Sequence, residues 1–357
     1  MEPWQNCKNI LVVRLDNMGD LLMSTPAIRA LKESFGSRIT VLTSSMAAGI
    51  AYNIPEIDEL ITFDVPWVKT HNASFSHEFL VLAEVLKLKK FDAAVIFTVF
   101  SQNPMPAVML IYLADIPKRL AYCRENPYDL LTDWVPDQEP YTLIKHQVER
   151  DLDLVANIGA TTTNDFLSLE IPDAWGSAQK ILAKNSIDLQ KPWLILHPGV
   201  SELKRQYPTE KWIETSKKLI AEFGFQLLLT GSASEKKLTD EIAQGIGTNA
   251  FSIAGLLTLD EFICLIKEAS LLLSVNTGPV HIAAATQTPV VVLYAQTNPQ
   301  HTPWKTLSKV LYFEVPEALR SQNEVLKFVQ QHQQKAPEVI EVEAIMEVVS
   351  ALLSFRP

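Results

Sequence analysis

The chain has 357 residues, 47% apolar and 20% charged, which is the composition of an ordinary folded protein and, at this length, of about two domains. It carries 31 Lys and Arg against 41 Asp and Glu, a net −10, which argues against a general nucleic-acid binder while leaving room for a local basic pocket. The three cysteines, Cys7, Cys123 and Cys264, are far apart and suit neither a zinc site nor a disulfide framework, so a reducing cytoplasm is expected. Glycine is scarce, 12 residues against 21 prolines, so each glycine is a pointer to a place where the backbone needs one.

In chain order, residues 9–15 read as a buried strand and 20–35 as a helix beginning at Asp20. Strands are expected at 38–44, 59–64 and 91–100, with a helix over 75–89. The apolar run from Pro104 to Ile116 reads as a buried helix, and no run reaches the ~18 residues of a membrane span. A join falls near 172–192, and the grammar then repeats. Strands at 193–199, 225–231, 250–255, 271–275 and 289–295 alternate with helices at 208–223, 234–244, 258–268 and 278–286. Residues 321–337 read as an exposed helix or connector, and Val342, Ile345, Val349 and Leu352 give a closing amphipathic helix. Strands apolar on both faces and separated by helices mean parallel, helix-covered sheets, so the expected class is α/β with two doubly wound domains.

Gly19, Gly199, Gly231 and Gly278 each fall between a strand run and a helix, at the sheet edge where such folds bind ligands. Met18 and Gly19 form the first turn, where Gly19 is expected to bend the chain sharply. Asp20 follows, either capping the helix or taking a proton from a substrate hydroxyl; spacing alone favours the cap. In the second half, Thr277, Gly278 and Pro279 open a helix whose N–H groups suit a phosphate, with His281 in support and Asn276 just before it. His197 and Gly199 precede the basic pair Lys204-Arg205, which suits an anion. Glu235, after Gly231, is either a ribose contact or an ordinary first-turn acid. The fingerprints of nicotinamide, P-loop and zinc-protease enzymes are missing, and no metal site is suggested.

These segments, in this order, resemble glycosyltransferase family 9, the heptosyltransferases of lipopolysaccharide core assembly. The resemblance runs through VVRLDNMGDLLMSTPAIRALKESF at 12–35, HQVERDLDLVANIG at 146–159 and LILHPGVSELKRQYPTEKW at 194–212. It closes with LLTGSASE at 228–235 and SVNTGPVHIAAATQTPVVVLYAQTNP at 274–299. It implies a GT-B architecture of two Rossmann-like domains facing a cleft. Residues 1–175 would bind the acceptor, residues 176–335 a nucleotide-sugar, and 336–357 would form the closing helix. It further implies an inverting, metal-independent transfer of a sugar, heptose from ADP-heptose in the core enzymes, onto a lipid-linked saccharide. Asp20 would be the base, Arg205 and the Thr277–Gly278 turn would hold the pyrophosphate, Glu235 the ribose, and Asn276 stands where the family often has an Asp contacting the sugar. The implied location is the cytoplasm, at the inner face of the membrane, with Lys87, Lys89 and Lys90 as a candidate lipid contact. Two rival readings, a nucleotide-sugar epimerase of the same architecture and a non-catalytic sugar-nucleotide binder, are separated from transfer by product analysis with and without acceptor.

Overall fold

A computed structural model describes residues 3–68 and 75–354. The chain divides into two compact units, residues 1–170 and 171–357.

In the first unit, β1 (Asn9–Arg14), β2 (Arg38–Thr43), β3 (Glu59–Thr62) and β4 (Ala93–Ile96) are joined by the helices α1 (Met18–Phe35), α2 (Ser45–Ala51) and α3 (Ser76–Leu88). After them come α4 (Met105–Leu113), β5 (Lys118–Cys123), β6 (Asp133–Pro136) and α5 (Gln147–Ala156). All pairings are parallel, in the order β3-β2-β1-β4-β5-β6. The run NILVVR of β1 is central and buried on both faces, which is why it reads as continuous apolar sequence.

The second unit begins with α6 (Trp175–Lys184), then β7 (Trp193–His197), α7 (Thr209–Phe223), β8 (Gln226–Leu229), α8 (Lys236–Ile246) and β9 (Ala250–Ser252). It continues through α9 (Leu259–Glu268), β10 (Leu272–Val275), α10 (Gly278–Thr286), β11 (Val290–Ala295), β12 (Ser308–Phe313), α11 (Glu324–His332) and α12 (Val342–Ser354). Its parallel sheet runs β12-β11-β10-β7-β8-β9. The order is that of the first sheet, so each unit is a complete doubly wound fold. The strand order reverses between β1 and β4 in one unit and between β7 and β10 in the other, and ligands bind such folds at those crevices. The buried face of α12 (Val342, Ile345, Val349, Leu352) packs into the second unit's core beside Trp212 and Phe313.

Several expectations need correction. The first helix starts at Met18, with Asn17 as its cap residue, so Asp20 is the third helical residue and not its first. The strand expected over 91–100 is confined to Ala93–Ile96. β5, β6 and β12 were not anticipated: β5 opens with the charged pair Lys118-Arg119, and the edge strands β6 and β12 are only partly buried. The run from Pro104 to Ile116 holds α4, but Met109, Tyr112 and Leu113 are exposed, so that helix is buried on one face only. None of the four glycines singled out has a positive φ. Those that do are Gly36, Gly159, Gly224, Gly247 and Gly255, and Gly36 and Gly224 end α1 and α7 in the left-handed conformation.

Candidate active site

In the first unit, Asp20 sits one turn beyond the carboxyl end of β1, at the crevice beside β4. Its place follows from the helix start: Asn17 leaves the strand in an extended conformation, and its N–H donates to Asp20 Oδ2 at 3.2 Å. The other oxygen, Oδ1, accepts from Arg14 Nη2 at 3.1 Å. Arg14 ends β1 and is fully buried, and its Nε also faces Asp16 Oδ2 at 3.5 Å. Gln102, arriving from the loop after β4, donates to Asp16 Oδ1. Burial pushes the Asp16 carboxyl up to about 6 against the pull of Arg14, with Asp20 adding to the rise. Met18 is half-buried, and Gly19 is buried in the first helical turn and makes no sharp bend. Asp20 is thus both a helix-start acid and a carboxylate at the carboxyl edge of the sheet, where doubly wound folds bind ligands.

The second unit gathers more of the expected residues. β7 ends at His197, which is buried, its Nδ1 3.0 Å from Thr230 Oγ1 beyond β8. Burial holds the imidazole down at about 4, so the ring is neutral near pH 7; the Glu235 carboxylate opposes that shift without cancelling it. Glu235 Oε2 accepts from Ser232 N at 2.7 Å and Ser232 Oγ at 2.8 Å, the reciprocal capping of a helix start. Gly199 and Gly231 both lie close against this side chain. A Cβ on Gly199 would overlap the Glu235 carboxylate, and one on Gly231 would stand 3.1 Å from Glu235 Cβ. Both glycines therefore serve close approach, not turn geometry.

Across the crevice, β10 leads through Asn276 into α10. Thr277 is the cap residue in position, but its side chain makes no capping bond to the helix; Gly278 is the first helical residue and Pro279 the second. A helix start left uncapped by its own side chains can receive an anion. Arg205 Nη1 donates to the Asn276 carbonyl at 3.1 Å, and Nη2 lies 3.4 Å from Glu202 Oε2, which places the guanidinium at the turn. Asn276 is tied into the fold. Its Nδ2 donates to Thr297 Oγ1 at 3.1 Å and faces Ala295 O at 3.4 Å, while Oδ1 accepts from Ala295 N at 3.2 Å. An Asp could accept but not donate there, so this bridge to the turn after β11 explains the amide. His281 is buried in α10, its ring centroid 6.4 Å from that of His301.

Sequence reasoning missed Gln102, Ser24, Gln147 and Asp151, which line the buried surroundings of Arg14 from distant parts of the chain. No local signal marks them; only the fold brings them together. Of the three lysines considered for lipid contact, Lys87 pairs with Asp115 at 2.6 Å and Lys89 with Glu59. Among the described residues no group of three or more His, Cys, Asp or Glu is placed to hold a metal ion, and no helix is long and apolar enough to cross a membrane.

Residues 80–335 match the profile of glycosyltransferase family 9 (heptosyltransferase). Lipopolysaccharide heptosyltransferase 2 of Escherichia coli K12 is 28% identical over 308 residues, covering 82% of this chain and 84% of that protein. Among solved structures, a family 9 glycosyl transferase from Veillonella parvula superimposes with a TM-score of 0.80 at 19% identity, covering 100% of this chain and 99% of that one. The E. coli ADP-heptose lipopolysaccharide heptosyltransferase II does so with a TM-score of 0.73 at 23% identity, covering 97% and 98%.

Proposed function

We infer the reaction from one premise: the chain belongs to glycosyltransferase family 9, the heptosyltransferase family. It is a glycosyltransferase, and we propose that it moves heptose from ADP-heptose onto a lipid-linked saccharide of the lipopolysaccharide core. The second unit is the donor side. The diphosphate sits at the start of α10, beside Thr277 and Gly278, with Arg205 adding positive charge and Glu235 accepting from the ribose hydroxyls. The first unit is the acceptor side, with Asp20 as the base.

The step is a single displacement. The acceptor hydroxyl oxygen attacks the anomeric carbon from the face opposite the diphosphate, and its proton passes to an Asp20 oxygen. The bond from the anomeric carbon to the phosphate oxygen breaks, and ADP leaves with the bonding pair. The helix start and Arg205 stabilise the charge that develops on it. Such a displacement inverts the anomeric centre, and none of these roles calls on a metal ion, so transfer should persist in a chelator. The acceptor's lipid anchor puts the working enzyme at the cytoplasmic face of the inner membrane.

The observation that carries the reading is the second unit's crevice. An uncapped helix start follows β10, with Arg205 bonded to the carbonyl just before it. The test is a titration of ADP-, UDP-, GDP- and dTDP-sugars followed by transfer assays. Selective binding and turnover of ADP-heptose is expected. Preference for another nucleotide would remove the heptose assignment and leave the fold unchanged.

A further inference from the structure

Behind Asp20 lies a set of buried charges that the displacement does not itself use. Arg14 is completely buried, and its guanidinium faces Asp20 Oδ1 at 3.1 Å and Asp16 Oδ2 at 3.5 Å. Asp151, on α5, acts on the same guanidinium and is equally buried. Its Oδ2 accepts from Ser24 Oγ at 2.6 Å and its Oδ1 from Gln147 Nε2 at 2.8 Å. Ser24 stands one turn after Asp20 on α1, and its hydroxyl also lies 3.2 Å from the Asp20 carbonyl oxygen. The neighbouring Arg150 adds positive charge near both Asp151 and Arg14, but its hydrogen bonds go elsewhere. Both its arms reach Asp137 at 2.9 Å, it pairs with Glu139, its Nε donates to Thr98 O at 3.0 Å, and it lies 4.3 Å over the Tyr122 ring.

Two buried carboxylates, Asp20 and Asp16, therefore pair with Arg14, and a third, Asp151, acts on its charge without a direct hydrogen bond. A carboxylate held at 3.1 Å by a guanidinium of its own becomes a weak base, because the nearby positive charge favours its ionised form by about 1–3 pH units. Two further anions beside the same guanidinium cancel much of that pull. Burying extra carboxylates is costly, and an apolar α1–α5 contact would hold these helices together without them. Burial holds the Asp16 and Asp151 carboxyls up at about 6 against the pull of Arg14, so both are ionised at neutral pH, where they oppose the Arg14 charge.

We propose that Asp151 and Asp16 are positioning residues that keep Asp20 basic, acting through Arg14, the guanidinium they share with it. This rests on the reading of Asp20 as the base, and the test separates the two. The chain is labelled with 13C at the aspartate carboxyl carbons, the Asp20 signal is assigned from its loss in Asp20→Asn, and its titration is followed in wild type, Asp151→Asn and Asp16→Asn. Each substitution removes one anion and keeps the shape. The Asp20 midpoint is expected to fall by about 1 pH unit in either variant. In transfer assays the acidic limb of kcat should move the same way, with kcat at neutral pH about threefold lower and the donor KM unchanged, as a weaker base requires.

An Asp20 midpoint that stays put in both variants, with only the melting temperature changed, would overturn the proposal and make Asp151 a structural tie between α1 and α5. Asp16→Asn carries the test if Asp151→Asn does not fold. A moved midpoint together with normal turnover by Asp20→Asn would instead refute the base assignment and leave the shared-charge arrangement standing.

Discussion

Replacing Gly199 by alanine adds one methyl group, yet its consequences reach the proposed donor site. The new Cβ would overlap Oε1 and the carboxyl carbon of Glu235, so that side chain must swing away. It would then lose its acceptor contacts with Ser232 N at 2.7 Å and Ser232 Oγ at 2.8 Å. Losing a helix-start bond of this kind costs about 1 kcal/mol, which in a unit the size of residues 171–357 lowers its melting temperature by about 2–4 °C. If Glu235 also holds the ribose, ADP binding should weaken about tenfold, equivalent to about 1.4 kcal/mol. Calorimetric titration with ADP and thermal unfolding give both numbers. The decisive comparison is the double variant Gly199→Ala/Glu235→Ala, in which the overlap is gone. It should match Glu235→Ala alone, because the glycine matters only through the carboxylate. Unchanged stability and ADP affinity in Gly199→Ala, or strictly additive effects in the double variant, would refute the reasoning.

Three other outcomes follow from the structure. His197 titrates lower in the folded chain (about 4) than unfolded (about 6.5), so the unfolded state takes up its proton first. Its contribution to stability is intact above pH 6.5 and is lost as the pH falls toward 4, and His197→Gln should flatten that loss in acid-unfolding scans. Asp16 and Asp151 have the opposite sign. Their folded values lie above the unfolded one of about 3.9, so their contribution is fullest below pH 4 and is lost as the pH rises through 6. Asn276→Asp removes the donor to Thr297 Oγ1 and sets an anion against the Ala295 carbonyl. It should lower stability by about 1–3 kcal/mol in denaturant titrations and weaken ADP binding by loosening the turn that Arg205 holds.

How much of this was visible in the sequence depends on where each residue lies. The central strands β1, β7, β10 and β11 are buried on both faces and stand out as apolar runs. β5 does not, because its first two side chains are charged. The Arg119 guanidinium is accommodated by the carbonyls of Leu130 and Asp129, at 2.7 and 2.9 Å, which no local pattern announces. The edge strands β6 and β12 bury alternate residues at most and read as loop. In the second unit the candidate donor residues stand out in the sequence because strand-end glycines and a Thr-Gly-Pro helix start are local signals. The reason for two of those glycines was misjudged: Gly199 and Gly231 make room for Glu235, whose side chain arrives from further along the chain. Asp20 was legible in place but not in environment, since Gln102 and Asp151 reach the surroundings of Arg14 only through the parallel sheet and the packing of α5 on α1.

The central claim is that Asp20 takes the acceptor's proton while the second unit alone holds the donor. Asp20→Asn tests it most directly, by measuring ADP release from ADP-heptose in the presence of a lipopolysaccharide-core acceptor alongside the affinity for ADP. The account predicts that transfer falls by at least about a hundredfold while the ADP dissociation constant stays within about twofold of wild type. Turnover near the wild-type rate would contradict it.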